Sequence, residues 1–278
     1  MPPRNPVDPH ALNSPIAVFD AGLGSYDIVR TLRRHYPESD LIYFADRASF
    51  PYGAKSEAQL LKIAVASCRY LRSLGAGCVV IGSNAPSVTV LAAVAADCDF
   101  PVLGVLPPVR QALAAIAPEQ GLLLAGAASM TGSPRLHEFI EREAGQAAAR
   151  VHAVAATALI ELVESGKFLT DPETAVDQVA DFLGRQLASW PELGGVLLSS
   201  THLPWLSFAF QRAAPGWQLF NPADDVARSA APYAVPGTGK LLSLVTESPA
   251  LTVRDFAQTL DRLGIALELQ PVPALELR

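Results

Sequence analysis

Two apolar runs in the chain end in a serine. VVIGSNAPSV spans residues 79–88 and VLLSSTHLPW spans 196–205, so Ser83 and Ser200 stand at matching points 117 positions apart. A serine hydroxyl acts chemically only beside a base and otherwise serves as a hydrogen-bonding group. Serine is also a routine helix N-cap, so a capping role stands beside the chemical one for both residues. Groups able to move protons accompany them. His202 follows Ser200 by two residues, and imidazole changes charge near neutral pH; a structural, hydrogen-bonded histidine is the other reading. Asp20 closes the apolar run Ile16–Phe19 and precedes Ala-Gly-Leu-Gly, where aspartate either contacts a ligand or sets a turn. Glu164 lies at the end of an apolar helical stretch, where it serves a site or is simply solvated.

Other chemistries find little support. AGLGSYD (21–27) begins like a dinucleotide-binding turn but has Asp27 at the third glycine position, and no acidic ribose partner follows. VPGTGKL (235–241) lacks both the first glycine and the final hydroxyl of a phosphate-binding loop, with Ala234 and Leu241 in those places. GxSxG is absent, which removes the nucleophile elbow of the α/β-hydrolases. Cys68, Cys78 and Cys98 form no CxxC or Cys/His spacing, so neither a disulfide nor a metal is expected, and a reducing cytoplasm is. The net charge of −6 argues against nucleic acid or an anionic membrane as partner. The uncharged window 73–96 is broken by glycines and Pro86, so no membrane span is expected.

The elements that must carry these residues alternate. Strands are expected at Ile16–Phe19, Leu41–Phe44, Cys78–Ile81, Val102–Val105, Leu122–Leu124, Val151–Ala155 and Val196–Leu198, with a further one in LLSLVT (241–246). Between them lie helix signals: Ser25, the capping box Ser56-Glu-Ala-Gln59, Ser133-Pro134 and Thr170-Asp-Pro-Glu173. Alternation of this kind predicts parallel sheets covered by helices on both faces. IAVFDAG pairs loosely with GLLLAGA, and VVIGSNA with VLLSSTH. Two similar α/β domains with facing strand ends would explain that rhyme.

Taken in order, Phe-Asp-Ala-Gly-Leu-Gly (19–24), Tyr-Phe-Ala-Asp (43–46) with Phe-Pro-Tyr-Gly (50–53), Gly-Ser-Asn-Ala (82–85), Gly-Val-Leu-Pro-Pro (104–108), Leu-Val-Glu-Ser-Gly (162–166), Ser-Ser-Thr-His-Leu-Pro (199–204) and Asn-Pro-Ala (221–223) form a specific series. The series resembles glutamate racemase, of the aspartate/glutamate racemase superfamily, over roughly residues 15–270. The resemblance implies two pseudo-symmetric α/β domains with mostly parallel sheets and an active site in the cleft between them. It assigns 15–104 plus 216–278 to the first domain and 105–215 to the second; residues 1–14, polar and proline-rich, read as a flexible leader before them. It implies catalysis without a cofactor, by one cysteine in Cys-Asn-Thr and another in Gly-Cys-Thr-His. Those positions are Ser83 and Ser200 here. Asp20, Glu164 and His202 match the groups that assist the two thiols; Pro51, Tyr52, Gly53, Asn84 and Thr201 match residues that hold the substrate. Ala21, Ala85 and Leu203 replace an expected serine, threonine and tyrosine.

A free thiol titrates at about 8.5 and is lowered by its surroundings, so it offers some thiolate at neutral pH where serine offers no anion. The leading expectation is therefore a divergent racemase-like protein that binds a small amino or carboxylic acid, without efficient two-thiol racemisation. Another cofactor-independent proton transfer, using Asp20, Glu164 and His202, fits that set. A non-catalytic sensing protein and a glutamate racemase inactivated by Cys-to-Ser substitution are the alternatives. The resemblance also implies a homodimer.

Overall fold

The computed structural model describes residues 7–250 and 252–277. Its strands are β1 (Ile16–Asp20), β2 (Leu41–Asp46), β3 (Cys78–Ile81), β4 (Val102–Gly104), β5 (Gly121–Gly126), β6 (Val151–Ala155), β7 (Leu193–Ser199), β8 (Gln218–Phe220), β9 (Leu241–Thr246) and β10 (Leu269–Pro271). Two parallel sheets result, in the orders β10-β9-β2-β1-β3-β4 and β6-β5-β7-β8. This is the mixed α/β architecture with two parallel sheets that the alternation predicts.

The strands are short apolar runs because both faces of each sheet are covered. In the first sheet Ile16, Val18, Leu41, Tyr43 and Val80 point into one core, while Ala17, Phe19, Ile42, Phe44 and Ile81 point into another. In the second sheet Leu123, Ala125, Val196 and Leu198 join the first of these cores, and Leu122, Leu124 and Leu197 face a third. One hydrophobic core thus runs beneath both sheets. Helices enter where their signals stand: Ser56 and Gln59 close a reciprocal capping box on Glu57–Ser73, and Ser133 caps Pro134–Ala144.

Each sheet reverses its strand order at its centre. The chain places β2 on one side of β1 and β3 on the other, then β6 and β7 on the two sides of β5. Loops diverge at such a switch point and leave a crevice beyond the strand ends. Asp20 ends β1 and Ser83 follows β3 at one crevice, and Ser200 follows β7 at the other. Phe19 pairs with Ile81 and Ala125 with Leu198, so the position equivalent to Asp20 is Gly126, one residue off the sequence pairing of IAVFDAG with GLLLAGA. The rhyme is structural, but the carboxylate is on one side alone.

Three expectations need correction. Residues 7–14 were expected in a free leader but are held by the fold: the Asn13 amide donates to Asp40, its side chain donates to Pro236, and Val7 and Leu12 pack on the first sheet; residues 1–6 lie outside the described part. The strand expected through Val105 stops at Gly104, because the Val105 amide donates to Ser87 Oγ and its carbonyl accepts from Asn84 Nδ2. The chain expected to leave the second sheet near 216 first adds β8 to it.

Candidate active site

All ten residues singled out in the sequence border one cavity of about 630 Å³. On the first-sheet side, Asp20 is almost fully buried, and its Oδ1 accepts from the Ala21 amide at 2.7 Å. Burial pushes its carboxyl up to about 6, against the opposing pulls of His202, the Ala21 amide and the Ser83 hydroxyl, with Glu164 adding to the rise. Ser83 occupies the N-cap position of the helix Asn84–Thr89 but makes no capping hydrogen bond. Its hydroxyl stands on the Asp20 side of the cavity, where it favours the Asp20 anion.

The second-sheet side carries a chain of polar contacts. Ser200 Oγ lies 3.4 Å from His202 Nδ1 and accepts the His202 amide at 3.4 Å. His202 Nε2 is 2.9 Å from Glu164 Oε2. A carboxylate at that distance takes a proton donor, so in the neutral imidazole Nδ1 is left as the acceptor facing Ser200. Glu164 comes from the end of the helix Thr157–Glu164 and also accepts the Leu23 amide at 3.1 Å. Burial would raise its carboxyl; the His202 contact, Arg47 and the Leu23 amide outweigh that and hold it at about 2. Glu164 is therefore an anion tied into the site, not a solvated helix end.

Arg47 is the residue that sequence reasoning missed. It is buried, its Nη1 reaches Glu164 Oε1 at 2.6 Å and the Ala21 carbonyl at 2.9 Å, and Phe50 and Phe256 cover its guanidinium at 4.8 and 4.9 Å. One cation thereby ties the second-sheet carboxylate to the loop that follows Asp20.

The substrate-holding candidates divide. Tyr52 borders the cavity, but its hydroxyl donates to Asp46 at 3.1 Å, so its ring is what remains for a ligand. Pro51 and Gly53 flank it on an exposed loop after a cis Phe50–Pro51 bond. Asn84 spends an amide hydrogen on Val105 and leaves Oδ1 buried with no partner. Thr201 packs against Gly24: a Cβ there would clash with Thr201 Oγ1 and stand 2.6 Å from the Thr201 carbonyl carbon. A Cβ on Gly22 would likewise meet the His202 ring, at 2.9 Å. The loops from the two sheets interlock because glycine leaves room. Gly24→Ala should therefore cost about 1–3 kcal/mol in a denaturation series, since backbone cannot yield as a side-chain tip can.

Cys78, five residues before Ser83, offers no substitute thiol: it is buried in β3, and burial pushes it up to about 12. Among the described residues no cluster of three potential metal ligands occurs, and no helix is long and apolar enough to cross a membrane.

No protein-family model matches the chain. The glutamate racemase of Deinococcus radiodurans is 31% identical over 278 residues, covering 95% of this chain and 93% of that protein. The crystal structure of glutamate racemase from Thermus thermophilus in complex with β-chloro-D-alanine superposes with a TM-score of 0.76 at 29% identity, over 96% of this chain and 98% of the other. The Escherichia coli glutamate racemase, solved with L-glutamate and the activator UDP-MurNAc-Ala, shares the fold at a TM-score of 0.78 and 24% identity, over 95% and 100% of the two chains. With the fold, the ordered motifs and a relative of this identity spanning nearly its whole length, the chain belongs to the glutamate racemase family.

Proposed function

We infer that the protein is a cofactor-independent enzyme that moves the α-proton of a small amino or carboxylic acid, with oxygen and imidazole groups in place of thiols. The observation that carries this reading is the pairing, across one cavity, of a carboxyl raised to about 6 with an imidazole hydrogen-bonded to an ionised glutamate. A base poised near the working pH combines availability with driving force. Asp20 takes the proton from Cα, directly or through Ser83, and the electron pair passes into the substrate carboxylate as an enolate. Hydroxyl donors are most useful where that charge develops. The His202 imidazolium, steadied by Glu164, returns a proton to Cα through Ser200. Exchange with water then resets both groups. The Ser200–His202 contact at 3.4 Å supplies the path for that relay.

The names of the relatives support racemisation as the reaction class, and glutamate itself is the reference substrate. The test is incubation in D₂O with the separate D and L forms of glutamate, aspartate and neutral amino acids, followed by proton NMR of the α-hydrogen. Loss of that signal with loss of optical purity is expected for at least one pair. Ligand binding without any exchange would replace this reading with that of a sensing protein.

A further inference from the structure

We propose that the substrate carries an uncharged, apolar side chain, branched aliphatic or aromatic, in place of a second carboxylate. The proposal rests on the proton-transfer reading of the same cavity and concerns the part of the ligand that does not react. Four of the strand-end positions that face the cavity are alanines: Ala21 after β1, Ala85 beyond Ser83, and Ala127 and Ala128 after β5. Phe50 and Ile160 complete that apolar wall. The loop that carries Phe50 approaches the second sheet closely, since a Cβ built on Gly53 would stand 3.6 Å from Ser129 Oγ and 3.8 Å from Ala127 Cβ.

Polar groups are distributed differently. The inner hydroxyls gather around the reacting pair, Ser83 beside Asp20 and Ser200 beside His202. The other polar side chains bordering the cavity divide: Asn84, Ser199 and Thr201 are buried and adjoin these two serines in the chain, while Thr157, Glu161 and Ser165 are exposed at the rim. The charged side chains bordering the cavity, Asp20, Glu161 and Glu164, are all acidic; no lysine or arginine borders it among the described residues. Arg47 lies behind Glu164 and is committed to that carboxylate and to the Ala21 carbonyl. A second substrate carboxylate would thus lose water along a wall of methyl groups with no lysine or arginine to balance its charge, a cost that ionised groups tolerate poorly. A leucine or phenylalanine side chain gains from the same wall, and a few methylenes in an apolar pocket are worth roughly 10–200-fold in discrimination.

The experiment is calorimetric titration of the intact protein with both enantiomers of leucine, phenylalanine, alanine and glutamate, with α-proton exchange in D₂O followed on the same samples. Leucine or phenylalanine should bind at least tenfold tighter than alanine and glutamate, and Ala85→Asp together with Ala127→Asp should erase that preference. Glutamate binding as tightly as leucine, or no binding by any of the acids, would overturn the proposal. Preferential binding of the apolar acids without exchange would uphold the side-chain class and overturn proton transfer. Exchange confined to glutamate would do the reverse.

Discussion

Asp20→Asn should sharply slow α-proton exchange and, at alkaline pH, make the protein more stable. The two effects share one cause. Asp20 is held at about 6 against an ordinary 3.8 because burial disfavours its anion. Below 3.8 the carboxyl is protonated in both the folded and unfolded chain and costs nothing. Between 3.8 and about 6 the folded protein retains a proton that the unfolded chain releases, so stability falls as pH rises. Above about 6 the loss is complete and amounts to about 3 kcal/mol. Asparagine keeps the shape and the oxygen that accepts from the Ala21 amide, but never ionises. Urea unfolding should show the variant more stable by up to about 3 kcal/mol at pH 8 and close to the parent at pH 3. The exchange rate of the parent should climb through pH about 6, and the variant should lose about 10²–10⁴-fold, the usual contribution of a positioned base. An asparagine variant that exchanges protons at the parental rate would move the base elsewhere.

What the sequence made legible follows from what each residue needs for its role. The main strands could be read because burial on both faces writes them as unbroken apolar runs, as in Ile16–Phe19 and Cys78–Ile81. The three-residue β8 and β10 carry no such run and emerge through pairing alone, β8 beside β7 and β10 beside β9. Ser83 and Ser200 were visible as strand ends, and Asp20 and Glu164 through the ordered motifs. Arg47 carried no local signal. Within ADRASF it resembles an ordinary loop cation, and its burial depends on Glu164, 117 positions away, and on Phe256 in the returning helix Val253–Arg262. A residue buried by partners that the fold alone brings together is invisible to periodicity.

Arg47→Met should cost about 3–5 kcal/mol of stability at neutral pH, because it removes the guanidinium paired with a buried carboxylate and leaves His202 and the Leu23 amide to hold it. Arg47 and Glu164 are 7% and 16% exposed in their side chains, so water cannot take over from the guanidinium. Glu164 sits at about 2 in the fold against an ordinary 4.5, so in the parent its ionisation supplies about 3 kcal/mol that is fully present above 4.5 and lost as pH falls through about 2. Without Arg47 the carboxyl must rise, so the folded variant should take up this proton at a higher pH than the parent does. The deficit measured by urea unfolding should therefore be large at pH 8 and shrink at pH 4, where Glu164 can be neutral in the variant. A pH-independent deficit would mean that the loss is one of packing between Phe50 and Phe256 alone. Adding Glu164→Gln should recover much of the stability at pH 8, since it removes the charge that Arg47 balanced. It should not recover exchange. Glutamine at 164 cannot steady an imidazolium at His202, so the proton return through Ser200 would still lack its counter-charge.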